Sequence, residues 1–397
     1  MSRTPARIPT PARPATHGEP PGVTGDQTPV MRAGTGTHAA FEASLEFFLA
    51  PLVPLLRDPE VNEIMVNGPE KIYVEKAGQV VLTGARFPTE ADVQAAANNI
   101  AQFVGQPLTH DRPLLDGRLP DGSRVCVIMG HIASAGTHIN IRRFARNTAT
   151  PDFLLSKKSL TPMAMEFLLL AVKGHRNIIV SGGAGSGKTT AVNVLTNGFG
   201  AEERIIVIED TRELQVQRKH VVQLEARPAD AYGRGQVTVR DLFMTALRMR
   251  PDRIVVGEVR RGEALDMIQA LTSGHHGSMT TVHASSPADT CYRLETLALM
   301  ADIGIPLHAL RRQVASAIDL IVQTARLTSG RRLVTGICEV DFDEITQNYR
   351  ILDIFKLAEA GIEPELAWTG TRPGTLVQLK FEGLIGEMNL TKPMLEA

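Results

Sequence analysis

Residues 177–190, NIIVSGGAGSGKTT, contain the feature that most constrains the fold of this chain. A short apolar run is followed by a glycine-rich turn and then by residues suited to begin a helix. The turn matches the pattern G-x-x-x-x-G-K-[ST] through Gly182, Gly187, Lys188 and Thr189. The backbone N–H groups of such a turn, together with the helix N-terminus, can hold the phosphates of a nucleotide. The sequence therefore predicts a nucleotide site in an α/β domain.

The motif also predicts which residues bind the phosphates. Lys188 is expected to reach the β- and γ-phosphates, and the Thr189 hydroxyl is expected to ligate Mg²⁺. The alternative is a glycine-rich turn that binds nothing. It is disfavoured because strand, turn and helix each fall where nucleotide binding needs them. The predicted nucleotide-binding residues of this stretch are Gly182, Gly183, Ala184, Gly185, Ser186, Gly187, Lys188, Thr189 and Thr190.

The composition is typical of a soluble globular protein and excludes several classes. With 397 residues the chain is too long for one ordinary domain. A formal net charge of −1 gives no basic field that would favour nucleic acid. Cys126, Cys291 and Cys338 form no C-x-x-C pair, which argues against a disulfide framework or a zinc site and suits a reducing cytosol. No apolar run reaches the length of a membrane span, so the chain is expected not to cross a membrane on its own.

Changes in composition divide the chain into four segments. Residues 1–38 are rich in proline and glycine and are predicted to be a disordered tail, with partner binding as the alternative. Short strand-like runs and helical segments over residues 39–148 predict a small α+β domain. Residues 149–160 are predicted to be a linker. Residues 161–397 are predicted to form the nucleotide-binding domain with a C-terminal subdomain.

The second domain shows the alternation expected of an α/β fold. Apolar strand-like runs alternate with helical segments after residue 161, which predicts a mostly parallel sheet covered by helices on both faces. Two later runs, residues 331–340 and 349–356, are predicted to be antiparallel strands. The predicted fold class is therefore α/β, with a smaller α+β domain before it.

Acidic residues follow two of the predicted strands. Glu209 and Asp210 end one apolar run, and Glu258 follows another. In parallel sheets ligands collect at the carboxyl ends of strands, so these acids should lie beside the phosphate-binding turn. A carboxylate there can ligate Mg²⁺ through water or orient the attacking water. The alternative is a helix cap or an ion-pair partner, and the signal of Glu258 is weakened because Gly257 stands where such motifs usually have Asp.

The stretch of residues 272–285, TSGHHGSMTTVHAS, contains three histidines. A zinc site is one interpretation of His275 and His283, although no cysteine or acid lies nearby at ligand spacing. A second is a histidine that senses the γ-phosphate and couples it to the following helix. The third, favoured more for His276, is ordinary core or surface histidines.

Arginines are concentrated at the end of the first domain. Arg142 and Arg143 are adjacent, so in a strand they face opposite sides. Arg118 and Arg124 flank a turn-rich segment. On spacing alone, a solvated surface is the favoured interpretation of all four.

Taken together, these motifs resemble the secretion ATPases of the type II/type IV superfamily, and most closely the CpaF-like (Tad/Flp pilus) and conjugation-type branch. Flanking stretches such as LPDGSRV and INIRRF in the first domain match as well. The tail departs from the helical segment that often precedes the first domain in CpaF-like proteins. Four motifs carry the resemblance: the phosphate-binding turn at 182–189, IEDTREL at 208–214, GEVR at 257–260 and GHHGSMTTVHA at 274–284.

The resemblance implies a fold, cofactors and partners. It implies a RecA-like ATPase domain with a PAS-like N-terminal domain, assembled into a homohexamer, with ATP and Mg²⁺ between the domains. It also implies a cytoplasmic protein, peripherally associated with the inner membrane, that powers pilus assembly or secretion through a membrane platform protein. Neither zinc nor stable binding of nucleic acid is expected. A conjugation-type transfer ATPase, a RecA-class nucleic-acid motor and a non-hydrolysing scaffold stay open as alternatives.

The resemblance also implies roles for individual residues. Glu258 would be the catalytic base, and Glu209 a water- or metal-orienting acid. The implied catalytic residues are Lys188, Glu209, Glu258, His275 and His283. The implied groups at the metal are Thr189, Glu209 and Glu258. The arginines that would approach ATP from the first domain, against the preference from spacing, are Arg124, Arg142 and Arg143.

Overall fold

The computed structural model describes residues 43–44, 46–76, 78–119, 121–143, 149–229, 233–358 and 364–395. The segment predicted to be a disordered tail, residues 1–38, lies outside them. None of the described helices is long and apolar enough to cross a bilayer.

The first sheet has six antiparallel strands in the order β3-β2-β1-β6-β5-β4. Helix α2 (Glu90–Val104) packs on one face through Val93 and Ile100. It begins at Thr89, whose side chain accepts a hydrogen bond from the Asp92 N–H. A short α1 (Val53–Arg57) precedes the sheet. The strands are β1 (Val61–Asn67), β2 (Ile72–Lys76), β3 (Gln79–Leu82), β4 (Leu114–Arg118), β5 (Arg124–Ile128) and β6 (His138–Arg142).

The opposite face of this sheet carries a row of arginines. Val125 and Ile141 are fully buried in the core. Because side chains alternate along a strand, Arg124 and Arg142 point away from that core. Arg118 on β4 lies directly opposite Arg124 on β5, which in turn lies opposite Arg142 on β6. Three guanidinium groups therefore line the outer face of the sheet.

The second sheet has nine strands in the order β15-β14-β13-β12-β7-β11-β10-β8-β9. Its strands from β12 to β9 in this order are parallel, and β13, β14 and β15 continue it in antiparallel pairs. The strands are β7 (Ile178–Gly182), β8 (Ile205–Glu209), β9 (Val221–Glu225), β10 (Arg253–Val256), β11 (Met279–Val282), β12 (Leu320–Arg326), β13 (Arg332–Asp343), β14 (Asn348–Ala358) and β15 (Glu365–Trp368).

Helices cover both faces of the second sheet. One apolar cluster joins it to α4, α5 and α10 through residues such as Phe167, Val192 and Leu376. The other joins it to α6, α7, α8 and α9, for example through Phe243 and Ile268. The helices are α3 (Pro151–Ser156), α4 (Pro162–Lys173), α5 (Lys188–Leu195), α6 (Val239–Ala246), α7 (Glu263–Thr272), α8 (Pro287–Leu299), α9 (Leu307–Ala317) and α10 (Gly374–Phe381). Single 3₁₀ turns are formed by Ala50–Leu52, Gly130–Ile132, Thr196–Gly198, Leu384–Glu387 and Lys392–Leu395.

The mostly parallel sheet and the antiparallel pair agree with the sequence prediction, but the predicted linker needs a correction. Residues 149–160 contain α3, which begins at Thr150. The Thr150 hydroxyl accepts a hydrogen bond from the Phe153 N–H at 3.3 Å, and Leu154 of this helix is buried. A capped helix with an apolar side chain in the core of the second domain is part of that domain's packing.

Candidate functional site

The phosphate loop connects β7, which is buried along its whole length, to α5. Its glycines adopt positive φ angles of 152° at Gly182, 66° at Gly185 and 100° at Gly187. A Cβ atom on Gly182 would lie 2.4 Å from the backbone oxygen of Thr324 on the adjacent β12. Only glycine fits this position, because β12 supports the loop from below.

The side chain of Lys188 folds back onto the loop. Its Nζ atom donates to the backbone oxygens of Gly182 at 3.0 Å and Gly183 at 2.9 Å. It also lies 3.4 Å from Nδ1 of His283. Burial, opposed by the charge of Glu258, lowers the pKa of Lys188. The ammonium group is therefore held where phosphate oxygens would meet it.

The two hydroxyl groups of the loop have different partners. Ser186 Oγ donates to the backbone oxygen of Gly183 at 2.9 Å and lies 2.8 Å from Thr324 Oγ1, so it braces the loop. Thr189 Oγ1 donates to Oε2 of Glu213 at 3.3 Å. Glu213 was not identified from the sequence; the available signal was its position in IEDTREL, four residues after Glu209.

Glu209 is buried at the end of β8 and bonds to the backbone. Its Oε1 accepts hydrogen bonds from the N–H groups of Glu213 at 2.9 Å and Leu214 at 3.0 Å. Burial raises the pKa of Glu209 to about 7, although these two bonds favour the ionised form. A Cβ atom on Gly257 would lie 2.8 Å from Glu209 Cγ, which explains a glycine where aspartate is usual. Glu209 thus fixes the segment that presents Glu213 to Thr189.

Glu258 follows β10 and is held from two sides. Its Oε1 lies 2.9 Å from Nε2 of His283, and its Oε2 accepts a hydrogen bond from Arg260 at 2.6 Å. Arg260 also reaches Asp210, with 3.6 Å between NH1 and Oδ2. Asp210 therefore serves as an ion-pair partner of Arg260. The orientation of the Glu258 carboxylate is fixed by a cation and an imidazole.

His283 joins the lysine to the carboxylate. Burial, opposed by the charge of Glu258, lowers the pKa of His283, and the charges of Lys188 and Arg260 lower it further. The neutral imidazole has one tautomer that satisfies both neighbours. In this tautomer Nδ1 accepts a hydrogen bond from Lys188, and the Nε2–H group donates to Glu258.

His275 does not lie at this site. It precedes β11, whereas His283 follows it. The four residues of β11 span about 13 Å, so the two histidines lie at opposite ends of this strand. The backbone oxygen of His275 accepts a hydrogen bond from Ser278 Oγ at 3.0 Å. Among the described residues of this chain, His283 lies at the phosphate loop and His275 does not, and a catalytic role of His275 stays a prediction.

The two adjacent arginines of the first domain have different surroundings. Arg143 NH1 donates to the backbone oxygens of Asp58 and Val61, the latter at 3.2 Å. Arg142 is exposed, and its charge contributes to the lowered pKa of Lys188. Arg142 thus belongs to the arginine row on the outer face, while Arg143 hydrogen-bonds within its own domain. A contact of either arginine with the phosphates stays a prediction.

The rest of the arginine row also meets the second domain. Arg118, which sequence reasoning left as a surface residue, donates to the backbone oxygen of Arg212 at 2.7 Å and pairs with Glu225 at 3.1 Å. Arg124 is tied to Asp116 by hydrogen bonds of 3.0 and 2.5 Å. The outer face of the first sheet therefore covers the edge of the second sheet at which the loop lies.

The residues present fit a nucleotide carrying Mg²⁺. The loop has the left-handed glycines that aim backbone N–H groups inward. It also has a buried lysine whose hydrogen-bond acceptors, among the described residues, are two carbonyls and an imidazole. Around the Thr189 hydroxyl lie the carboxylate oxygens of Glu213, and those of Glu258 lie beside the lysine. Hydroxyl and carboxylate oxygens are the ligands and water-binding groups that Mg²⁺ prefers.

Comparisons with known proteins identify the family. Residues 48–354 match the model of the family described as Type II/IV secretion system protein. A putative conjugal transfer protein of Mycobacterium tuberculosis is 34% identical over 292 residues, which cover 72% of this chain and 82% of that protein. The type IV secretion system protein PtlH of Bordetella pertussis is 34% identical over 326 residues, which cover 75% of this chain and 95% of that protein.

A solved structure shows the same fold. The X-ray structure of the Legionella pneumophila ATPase DotB superposes with a TM-score of 0.53 at 19% identity, over 76% of this chain and 82% of that one. The predicted α/β ATPase fold with a smaller N-terminal domain is thereby confirmed, whereas the CpaF-like branch stays a prediction. The family match spans the first sheet, the second sheet as far as β14, and every motif described above, so the chain belongs to the type II/IV secretion system protein family, the secretion ATPases that its motifs resemble.

Proposed function

We propose that this chain binds ATP with Mg²⁺ at the phosphate loop and hydrolyses it to power secretion or pilus assembly. The observation that carries the proposal is the contact series from Lys188 through His283 to Glu258 beside a complete phosphate loop. A cation suited to phosphates and a carboxylate suited to activating water thus flank one imidazole. Membership of a family of secretion ATPases supports the same activity.

The backbone of the chain would hold the phosphates. The N–H groups of the loop and of the first turn of α5 offer donors at a helix N-terminus. Lys188 would exchange the carbonyls of Gly182 and Gly183 for phosphate oxygens. Bound beside the Thr189 hydroxyl, Mg²⁺ supplies neutralisation of the phosphate charge. Glu213 would keep that hydroxyl oriented, and Glu209 would keep Glu213 in place.

Glu258 would accept the proton of the attacking water. A general base must be oriented as well as basic, and the contacts of Glu258 with His283 and Arg260 orient both carboxylate oxygens. A movement of Lys188 would alter the contact of His283 with this base, because the same imidazole contacts both. ATP binding, which draws Lys188 to the phosphates, would thus change the hydrogen bonding of the base.

Arg142 would stabilise the transition state from the first domain. Phosphoryl transfer spreads negative charge over equatorial oxygens, and a guanidinium group can neutralise it. Arg142 is exposed and near the lysine, whereas Arg124 beside it is already paired with Asp116. Arg124 would contribute charge to the site without leaving its partner. Hydrolysis would then depend on how the first domain is placed.

The assembly and the location belong to the proposal as well. A homohexamer, working at the cytoplasmic face of the inner membrane with a platform protein of a pilus or secretion system, is the arrangement that family membership supports. The relative PtlH is described as a type IV secretion system protein. A conjugation-type transfer ATPase is the second candidate, favoured by the similarity to a putative conjugal transfer protein.

The test is phosphate release by the purified chain with Mg-ATP. Lys188→Ala should abolish turnover and leave the fold intact, because it removes the cation at the phosphates. Lys173→Ala is the matched control, since Lys173 lies at the end of α4 and pairs with Glu387. Turnover at the wild-type rate in Lys188→Ala would overturn the proposal. Stimulation by DNA would favour the RecA-class nucleic-acid motor instead, and nucleotide binding without any turnover would favour the scaffold.

A further inference from the structure

Two arginines of the β12–β13 hairpin lie on top of the phosphate loop. Arg326 and Arg332 are directly opposite each other in the antiparallel pair. Arg332 Nε donates to the backbone oxygen of Gly185 at 2.9 Å. Its Cδ atom lies 3.6 Å from the place of a Cβ atom on Gly187. The side chain of Arg332 therefore covers the loop from Gly185 to Gly187.

The first domain contacts the same two arginines. Glu75 on β2 has its Oε1 atom 3.6 Å from Arg326 NH2 and 3.7 Å from Arg332 NH2. Arg326 also donates to the backbone oxygen of Gly78, in the turn between β2 and β3. One carboxylate of the first domain thus faces two guanidinium groups of the second, and one of these holds the phosphate loop.

Glu75 is largely buried beside these two cations. Its side chain is 17% exposed. Its Oε1 atom is buried and has no hydrogen-bond partner among the residues described. The two cations at ion-pair distance are therefore what compensates its burial. They would repel each other if Glu75 moved away, because they lie side by side on paired strands.

We infer that Glu75 and Arg332 are positioning residues that make the affinity for nucleotide depend on the placement of the first domain. This inference rests on the nucleotide-binding function proposed above. Glu75 holds the guanidinium group of Arg332, and Arg332 holds the Gly185 carbonyl. Gly185 has a φ of 66° and lies at the exposed tip of the loop, so its peptide is free to rotate unless it is tied down. A loop kept in its binding conformation binds more tightly, because less ordering remains to be done.

The effect should appear in binding and not in the chemical step. Neither Glu75 nor Arg332 contacts Glu258 or His283 in the part of the chain that the structure describes. A shift of the first domain by less than 1 Å would lengthen two contacts that already lie near the 4 Å limit for an ion pair. Nucleotide affinity would then fall while kcat stays the same.

The experiment is a titration with a fluorescent ADP analogue in the presence of Mg²⁺. The variants are Glu75→Gln, Arg332→Gln and the double variant. Each single variant should weaken binding about fivefold, with kcat changed less than about twofold. The double variant should be no weaker than Arg332→Gln, because both act through one contact series. Hydrogen exchange of the loop amides in the nucleotide-free protein should be faster in all three.

Matched controls separate this link from a general loss of charge. Glu63 lies directly opposite Glu75 on β1, and its carboxylate lies 3.5 Å from Asn140 of its own domain. Glu63→Gln should bind the ADP analogue like the wild type. Arg350 pairs with Asp341 on the β13–β14 hairpin, and Arg350→Gln should also behave like the wild type. If Arg332→Gln does not fold, Arg332→Lys takes its place. Weaker ADP binding in both Arg332→Lys and Glu75→Gln would then support the link, and wild-type affinity in both would overturn it.

The outcomes distinguish the two proposals. If Lys188→Ala weakens ADP binding but Glu75→Gln and Arg332→Gln bind like the wild type, the link is wrong and the nucleotide site stands. Effects of the two substitutions that simply add would also overturn the link. If the wild-type protein does not bind the ADP analogue, the proposed function fails first.

Discussion

Nε2 of His283 lies 2.9 Å from Oε1 of Glu258, while Nδ1 of the same imidazole lies 3.4 Å from Nζ of Lys188. The two side chains that a phosphoryl-transfer site needs most, a phosphate-binding cation and a base for water, therefore share one neighbour. Lys188 comes from the start of α5, Glu258 follows β10 and His283 follows β11. The strands that lead to these residues, β7, β10 and β11, are neighbours in the parallel sheet. Their carboxyl ends therefore meet at one edge, where ligands of such sheets collect.

Glu258→Gln tests the role of the base. The amide keeps the shape and one acceptor oxygen, which can serve Arg260, but its NH2 group offers His283 no acceptor and it cannot accept a proton. We expect ATP binding near the wild-type level and a kcat lowered about 10²–10⁴-fold. Single-turnover measurement of hydrolysis, next to a separate binding titration, checks this. If binding is lost while hydrolysis of each bound ATP is unchanged, Glu258 has a structural role.

His283→Ala tests the link between the lysine and the base. Loss of the imidazole frees one oxygen of Glu258 and removes a contact of Lys188, whereas the loop backbone is untouched. We expect kcat to fall about tenfold or more and the affinity for ADP to change little. His220→Ala is a control, since His220 lies before β9 next to Arg204. Equal loss in both variants would contradict the role of His283.

The phosphate loop could be predicted from the sequence because its parts are local. Strand, glycines, lysine and threonine are consecutive, and each has its own signal. The same holds for Glu258, which directly follows an apolar strand. Glu213 could not be found in this way, because its approach to Thr189 depends on the turn that Glu209 holds after β8. A loop conformation that depends on a buried carboxylate produces no periodic pattern of residues in the sequence.

Strand β12 shows the same limit on a larger scale. It lies beside β7 in the middle of the nine-stranded sheet, and Thr324 closes against Gly182, yet the sequence analysis did not predict it. Its sequence LIVQTAR contains an apolar start and a polar end, and its position depends on contacts with a strand about 140 residues earlier. Pairing over such distances is decided by tertiary packing and not by local propensity.

The orientation of Arg142 was within reach of the sequence. In HINIR the apolar residues Ile139 and Ile141 alternate with polar ones, so Arg142 must point away from the core. The sequence does not show which surface of the second domain the outer face of the first sheet contacts. Its position over the phosphate loop could therefore not be predicted. His275 was assigned to the site on its motif alone, and the direction of β11 separates it from His283.

Gly257→Ala tests the packing of the buried carboxylate. The added Cβ would lie 2.8 Å from Glu209 Cγ, so either Glu209 or the end of β10 must move. We expect a loss of about 1–3 kcal/mol in the free energy of unfolding, together with reduced ATP turnover. Gly84→Ala is the control, because a Cβ there meets no atom within 4 Å. Denaturation of both variants followed by circular dichroism checks this, and equal stability would contradict the packing argument.

Glu209 also predicts how stability depends on pH. Burial raises its pKa from 4.5 to about 7. Between these values the folded chain binds more protons than the unfolded chain, so the contribution of Glu209 to stability falls as the pH rises. The contribution of Glu209 to the free energy of unfolding is fully present below pH 4.5 and lost above about pH 7. The loss is on the order of 3 kcal/mol in the nucleotide-free protein.

Glu209→Gln should remove this dependence. The amide oxygen can still accept hydrogen bonds from the Glu213 and Leu214 N–H groups, and it does not titrate. Melting temperatures from pH 5 to pH 8, measured without Mg²⁺ or nucleotide, give the comparison. The wild type should lose more stability than Glu209→Gln as the pH rises. Parallel curves for the two proteins would show that the pKa of the Glu209 carboxyl is not raised in the folded chain.

Arg142 and Arg143 should differ sharply in their effect on hydrolysis. Arg142 is exposed on the outer face of the first sheet and its charge acts on Lys188, whereas Arg143 donates to the backbone oxygens of Asp58 and Val61. A guanidinium group that meets the phosphates only in the transition state affects kcat and not ADP affinity. We expect Arg142→Ala to lower kcat about 10²-fold or more. Arg143→Ala should leave kcat within a few-fold and lower stability by about 1–3 kcal/mol, since it removes its hydrogen bonds to the partly buried carbonyls of Asp58 and Val61.

Arg142→Lys sharpens the comparison. It keeps the positive charge but not the planar set of donors, so it should restore only part of the rate. Mg-ATP turnover, ADP affinity and the assembly state by light scattering are measured for each variant, because a lost assembly would lower turnover for another reason. Near wild-type kcat in Arg142→Ala with the assembly intact would remove Arg142 from the mechanism. A larger loss of kcat in Arg143→Ala than in Arg142→Ala would assign the contact with the phosphates to Arg143 instead.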